Sequence, residues 1–516
     1  VLTSADNKNR DRPKRRKGEN VPKLAANNVR TNFKPKEITD MRPTIAKILT
    51  SSFALLAPIV VTSQALAQQD EVTFHKDIEP ILQRSCQNCH RVGGAGPMPL
   101  ITYEQVAPFA GLIEYKTGLR DRAGAMPPWY MEKNIGIQDY KDDPSLSDEE
   151  LAAISAWARN GTPQGNVADA PEALSFDDST KWKAGEPDLV VVMNDVTKLA
   201  GTPDWWGEID YMPIGLEEDR YVKSVEVVEV NDVDTSAAAG TVGGRYIFHH
   251  MIWGTAQLDE NGERQGFSIP WPVHEVGRNA DIFDEDAGRL LKAGTAIVSD
   301  SVHLHSNGRD TTGHMEVGFR FHPKGYEPKY KPSFIGLGNG VDISITGNQK
   351  DQELHAYTVL QQHTKVVTFE PHLHAPGERM CLEAIWGYTV ETLSCVGYDH
   401  NWVRGYPYAD DAAPILPKGT ILHIVGYMNN TDSNPNVPDP RNWQGSGNRS
   451  VTNMFIDLGI RVELTDEQFA EAMEERRQVL NLGPNDHVIG CPLCLAPLVA
   501  PVAEQRELDG DEVAAN

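Results

Sequence analysis

Cys86-Gln87-Asn88-Cys89-His90 sets two thiols three positions apart with an imidazole directly after them. In a C-x-x-C-H run the thiols can form thioethers to the vinyl groups of a haem, and the histidine becomes the axial iron ligand. A disulfide or half of a zinc site would use the same thiols. Zinc, however, wants a second Cys or His pair close by, and this segment offers none. A sixth ligand must come from further on, and a thioether raises the potential as in electron-transfer cytochromes. Met98, Met126 and Met131 are the candidates. Met126 is chosen because its distance from His90 leaves room for a helix, and because Pro127 and Pro128 stiffen its loop.

A second set of chemistry-bearing residues is spread along the chain: His249 and His250 in "RYIFHHMIWG", His303 and His305 in "SVHLHSNGR", His372 and His374 in "EPHLHAPGERM", and Met454 in "SVTNMFIDLG". Burying an unpaired imidazole is costly, so two adjacent histidines inside an apolar run need a partner, and a metal ion is one. In an H-x-H on a strand both rings leave the same face, so His372 and His374 can chelate one ion without distortion. Adjacent His249 and His250 can do so only where the strand bends or ends, or if their rings use different nitrogens. Their third ligand must come from elsewhere. Taken singly, each histidine pair is more often structural and Met454 more often core.

The elements that would position these residues follow from composition and pattern. The chain has 516 residues, enough for several separate cores. Residues 1–40 are basic and nearly free of apolar clusters, and read as a disordered segment outside the mature protein. Residues 41–67 have the three-part form of an export signal, with Arg42 and Lys47, an apolar stretch and Ala65-Leu66-Ala67, so Met41 reads as the start and Gln68 as the approximate mature terminus. Residues 1–40 carry eleven Lys/Arg against five Asp/Glu and the signal two more basic residues, so beyond them the net charge deepens from −25 to −33. So acidic a surface argues against nucleic acid and anionic membranes as partners. No later segment could span a membrane, and export to a periplasmic or extracellular space lets the cysteines oxidise.

Residues 68–170 read as a small all-α domain. Its last helix has a capping box at Ser147 and Glu150 and ends at Gly161. A linker, 171–185, leads to short strands such as "YVKSVEVVEV", "HMEVGFRF" and "GTILHIVGYM" separated by turn-rich stretches. These predict two all-β jelly-roll sandwich domains, 186–325 and 326–464, divided near Pro323–Ile343. A short helix capped by Thr465 and Gln468 opens the final stretch, 465–516.

In these motifs the chain resembles the copper type II, ascorbate-dependent monooxygenases, the group of peptidylglycine α-hydroxylating and dopamine β-monooxygenase, in particular bacterial relatives fused to a cytochrome c domain. The likeness runs from Thr73 to Leu464. It rests on the order and spacing of "CQNCH", "AMPPWY", "DDPSLSDEEL", "FHHM", "VHLHSNGR", "PHLH", "YMNNTDSNPNVPDP" and "TNMFIDLGI". It implies two jelly rolls facing across a cleft, with one copper each: an electron-supplying copper on His249, His250 and His303, and an oxygen-activating copper on His372, His374 and Met454. Imidazole suits copper in both oxidation states, and a soft thioether favours Cu(I). The implied reaction hydroxylates a C–H bond of a small organic substrate with O2. The haem on Cys86, Cys89 and His90, with Met126 as sixth ligand, would feed electrons from a periplasmic donor such as a cytochrome, a quinol-linked protein or an ascorbate-like reductant. His305 departs from the pattern and could compete with His303 or support it.

Two other readings use the same residues. A cupin-like, single-metal site would take His372, His374, Glu378 and His423, with Asn429 nearby, but its spacing is one residue off and it leaves "FHHM" and "TNMF" unexplained. An electron carrier would shuttle between haem and copper without hydroxylation. A blue-copper site would need Cys381 as a free thiolate. Among the four remaining cysteines, Cys381 with Cys395, flanking a hairpin, and Cys491 with Cys494 are the favoured disulfides. The Cys491/Cys494 tail could instead hold a metal with His487. His75, His314, His363, His400 and His423 are read as structural.

Overall fold

Phe74, Ile78, Ile81 and Leu82 recur at helical spacing, and all four are buried in the helical run Phe74–Ser85. They pack on Ile154 and Trp157 of the helix Asp148–Arg159, with Leu100, Val106 and Ile113 completing the cluster. The capping box expected at Ser147 forms: Glu150 N–H donates to Ser147 Oγ at 3.2 Å, and Ser147 N–H to Glu150 Oε2 at 2.8 Å. Arg84 then ties the two helices through Glu150 at 2.7 Å.

The computed structural model describes residues 71–176, 181–234, 244–277, 280–333, 336–338, 340–447, 451–483 and 486–494. The expected basic segment 1–40, the expected signal 41–67 and the chain beyond 494 lie outside the described residues. Among the described residues, no helix is long and apolar enough to cross a membrane.

After the helices the chain is mostly antiparallel sheet, as the short alternating runs predict. The strand Thr311–Phe321 shows the period of two directly, burying Met315, Val317, Phe319 and Phe321. It pairs with Arg220–Asn231 in one sheet, while Thr295–Leu304 pairs with Phe248–Leu258 in a second. One core lies between them, with Val222, Val225 and Val227 from the first sheet and Met251, Trp253, Ile297 and Val302 from the second. A second β region is built on the sheet order Gln349–Val359, Ile421–Asn430, Gly377–Trp386, Thr389–Gly397. Its core joins Leu382, Leu393 and Ile424 to Leu373 and Phe455 of two short strands, Pro371–Leu373 and Phe455–Asp457.

The expected hairpin places Cys381 directly opposite Cys395, and the two form a disulfide, as do Cys491 and Cys494. The C-terminal helix, Asp466–Val479, starts at the expected Thr465 cap.

One segment leaves the helical region altogether. Trp129, Met131, Ile137 and Tyr140 are part of the second β core, and Glu132 N–H and Ile137 N–H donate to the carbonyls of Cys395 and Leu393 at 2.9 and 2.8 Å. Met131, a sixth-ligand candidate by sequence, is thus a core residue bridged to Val396.

Below the short strands lies a fully buried ion pair, Arg461 with Asp457. Asp457 also accepts from Glu370 N–H and Gly459 N–H, each at 3.0 Å, and Arg461 donates to the Thr368 carbonyl at 3.0 Å. Removing one member of such a pair leaves the other charge buried and uncompensated. Arg461→Met is therefore expected to lower stability by about 3–5 kcal/mol, read as a fall in the urea midpoint. An unchanged midpoint would contradict this reading of the pair.

Candidate functional site

The adjacent histidines sit at a fault in strand pairing. His250 lies opposite His303, but the next pair is Phe248 with Leu304, so His249 is an extra residue on its strand. Such a bulge bends the strand and re-aims a side chain. With it, His249, His250 and His303 gather, their ligand nitrogens all within 4.8 Å of one another. Their ring centroids are 4.8 Å (His249–His303), 5.3 Å (His250–His303) and 5.9 Å (His249–His250) apart.

The surroundings fix these rings. Trp206 lies opposite His303 in register and stacks on it at 3.8 Å, 11° from parallel. The His303 Nε2–H donates to Asp204 at 3.1 Å, which leaves Nδ1 with the lone pair. The Nδ1 atoms of His303 and His249 are buried and have no hydrogen-bond partner, a state that suits metal ligands and is otherwise costly. His305 is engaged elsewhere, its Nε2–H donating to the Tyr246 carbonyl at 2.9 Å.

His372 and His374 come from the second β region, with ring centroids 5.3 Å apart. His372 pairs with Ile456 and Leu373 with Phe455, so His374 and Met454 are the next positions on the two chains. Met454 is half-buried there. The cupin-like set is not gathered. His423 bonds Glu383 at 2.8 Å and His355 at 3.0 Å, Glu378 accepts from Asn429 at 2.6 Å, and the three-histidine cluster is the metal-ligand group of its kind among the described residues.

Sequence reasoning missed what lies between the two histidine groups. Glu275 stands opposite His250 in the first region and contacts His372 Nδ1 in the second. His400 has ring centroids 5.3 Å from His249 and 6.5 Å from His374, and its Nδ1 is buried without a partner. No periodicity marks His400, which lies in the loop "GYDHNWVRGY". The other histidines read as structural, His75, His314, His363 and His423, each pair with a carboxylate.

At the helical end, Cys86 and Cys89 are free thiols, and burial pushes Cys86 up to about 12. His90 Nδ1–H donates to the Met98 carbonyl at 3.0 Å, which orients the ring and leaves Nε2 as the available ligand atom. Gly96 is needed beside it, since a Cβ there would come within 2.6 Å of His90 Nδ1. Of the sixth-ligand candidates, Met126 is half-buried and lines a cavity of about 260 Å³, while Met98 packs against the helical core. These residues fit a covalent haem.

No family model matches this chain, and no curated protein does. Among solved structures, recombinant N-glycanase F is 9% identical with a TM-score of 0.26, covering 54% of this chain and 96% of its own. The naturally empty particles of cowpea mosaic virus top component are 9% identical with a TM-score of 0.24, covering 57% and 95%. Likenesses this weak carry no argument.

Burial dominates the electrostatics of the histidine groups. It lowers His250, His303 and His400 to about 4 and holds His249 well below the usual imidazole range, with neighbouring imidazoles adding to the shift in His249. The rings are therefore neutral and ready to coordinate at neutral pH. An unfolded chain takes up these protons from about 6.5 downward, and the folded chain only near 4. This contribution to stability is thus complete above about 6.5 and lost as pH falls toward 4. Metal-free protein is expected to show a lower urea midpoint at pH 5.5 than at pH 7.5, and the drop should be smaller in His400→Gln. Equal midpoints in the wild type would contradict the neutral burial.

Proposed function

We propose that the chain is an exported copper monooxygenase that hydroxylates a C–H bond of a small organic substrate with O2, drawing electrons through a covalent haem c. The observation that carries this reading is the cluster of His249, His250 and His303 at a strand bulge, in which the Nδ1 atoms of His249 and His303 are buried without a hydrogen-bond partner. His372, His374 and Met454 offer a second, softer donor set of the kind that suits Cu(I). In this reading the helical region is a cytochrome c domain and the two β regions are jelly rolls. The disulfides and the absence of a membrane-spanning helix among the described residues accord with an exported chain.

Copper at the two sets would supply one-electron storage and activation of O2, and the haem would supply electrons singly. The chain's own residues do the rest. Asp204 holds His303 in the tautomer that leaves Nδ1 free, and Trp206 holds its plane. Glu275 orients His372 from across the junction. Arg245 joins the haem motif to the first set: its guanidinium donates to the carbonyls of Gly93 and Gly94, in the loop after His90. The next residue, Tyr246, accepts from His305. Two consecutive residues thus link the loop after the motif to His305, whose ring centroid lies 5.6 Å from that of His249.

Protein matured with haem is expected to bind two coppers and to consume O2 faster when its substrate is present. His250→Ala should remove one type II Cu(II) resonance, and Met454→Leu should weaken Cu(I) binding and lower substrate-stimulated O2 uptake at least tenfold. Full copper loading with no substrate-stimulated uptake across a broad screen would favour an electron carrier, and a single metal insensitive to both changes would overturn the two-copper reading.

A further inference from the structure

Lys183 and Arg404 come from distant parts of the chain and line one cavity of about 600 Å³. That volume suits a cofactor-sized ligand. Cys89 lines the same cavity, so it opens directly on one thiol of the haem motif. Its walls include Pro127, Pro128 and Trp129, an apolar and aromatic surface, with Trp182 beside Lys183.

Neither of the two cations makes a direct ion pair among the described residues, although Glu226 and Asp142 lie near enough to Lys183 to favour its charge. Arg84 and Lys141 also line the cavity, but Arg84 is bound to Glu150 and Lys141 to Asp410. Three carboxylates, Asp142, Asp143 and Asp281, also line it, and Asp143 accepts from Ser145 N–H at 2.7 Å. Lys183 and Arg404 have no carboxylate within ion-pair distance among the described residues, and Arg404 instead lies over the Trp129 ring at 5.2 Å. Lys183 is exposed, but to this cavity. Surrounding protein desolvates it enough to hold its ammonium below the ordinary lysine range, and the nearby Arg404 adds to the effect. Two like charges facing one space beside an apolar wall favour an anion between them, closer than the Asp142 and Asp281 carboxylates that share the lining without pairing with either cation.

We infer that Lys183 and Arg404 seat the two propionate carboxylates of the haem attached at Cys86 and Cys89. The inference rests on the haem reading above and adds to it: the cofactor's polar edge is gripped by residues outside the helical region. The haem is then shared between the helices and the β framework. A cation beside a propionate favours the reduced haem, which carries one positive charge less than the oxidised form, so these residues also set its potential.

The test is the midpoint potential of the covalently attached haem in the full chain, by spectroelectrochemical titration, with haem content measured as the pyridine haemochrome. Lys183→Gln and Arg404→Gln should each keep full haem content, because the thioethers are untouched, and each should move the potential downward. Lys183→Arg and Arg404→Lys, which keep the charge, should hold the potential close to that of wild type, and Lys350→Gln, at an exposed lysine on the strand Gln349–Val359, should leave it unchanged. Haem attached in full with potentials equal to wild type in both Gln variants would overturn the assignment. So would a wild-type potential that shifts with added inorganic phosphate, since the cations would then serve a free anion. Absence of covalent haem from the matured wild type would instead overturn the haem reading itself, and this inference with it.

Discussion

The arrangement depends on keeping imidazoles neutral and partly unsatisfied where the two β regions meet. His249, His250, His303 and His400 are all held below the usual imidazole range, chiefly by loss of water. A neutral imidazole with one nitrogen bonded presents a lone pair at the other. The junction spends stability on this: several ring nitrogens are buried with no hydrogen bond to offset their desolvation. The proposed coppers would bond these nitrogens and offset that cost.

The sheets provide the stiffness this requires. Each histidine group hangs on a strand pair whose register is fixed on both sides, by His250 opposite His303 in one case and His372 opposite Ile456 in the other. The loop carrying His400 is anchored by its neighbour Asp399, which accepts from Gly124 N–H at 2.8 Å and from the Tyr130 hydroxyl at 3.3 Å. The same loop packs Trp402 against Gly277, where a Cβ would come within 2.7 Å of the indole. Helical region, first β region and second β region therefore share one small cluster, around Ala125, Tyr130, Val276 and Trp402. Movement of any of the three would be felt at the histidines.

Much of this was legible in the sequence, and the limits have physical causes. Capping boxes at Ser147 and Thr465 are local, so four residues sufficed to place two helix starts. The Cys381–Cys395 pairing followed from a hairpin, again a local feature. The need for a bend at His249 and His250 could be stated from side-chain alternation alone, but the bulge that supplies it depends on pairing with a strand about fifty residues away. Glu275, Asp204 and Trp206 reach the rings only through that pairing and carry no motif of their own. Trp129–Lys141 reads as part of a helical region because it follows one. It docks on the second sheet because Trp129, Met131, Ile137 and Tyr140 find their apolar partners there. A long-range apolar match of that kind leaves no periodic trace.

In the proposed function, two distinct donor sets, one of three imidazoles and one of two imidazoles and a thioether, hold two coppers. Copper X-ray absorption on the fully loaded, reduced protein tests it most directly. Imidazole scattering is expected from both sites, together with a copper–sulfur shell that disappears in Met454→Leu while the copper content of the His249, His250 and His303 set remains. Copper bound without imidazole scattering, or a sulfur shell indifferent to Met454, would contradict it.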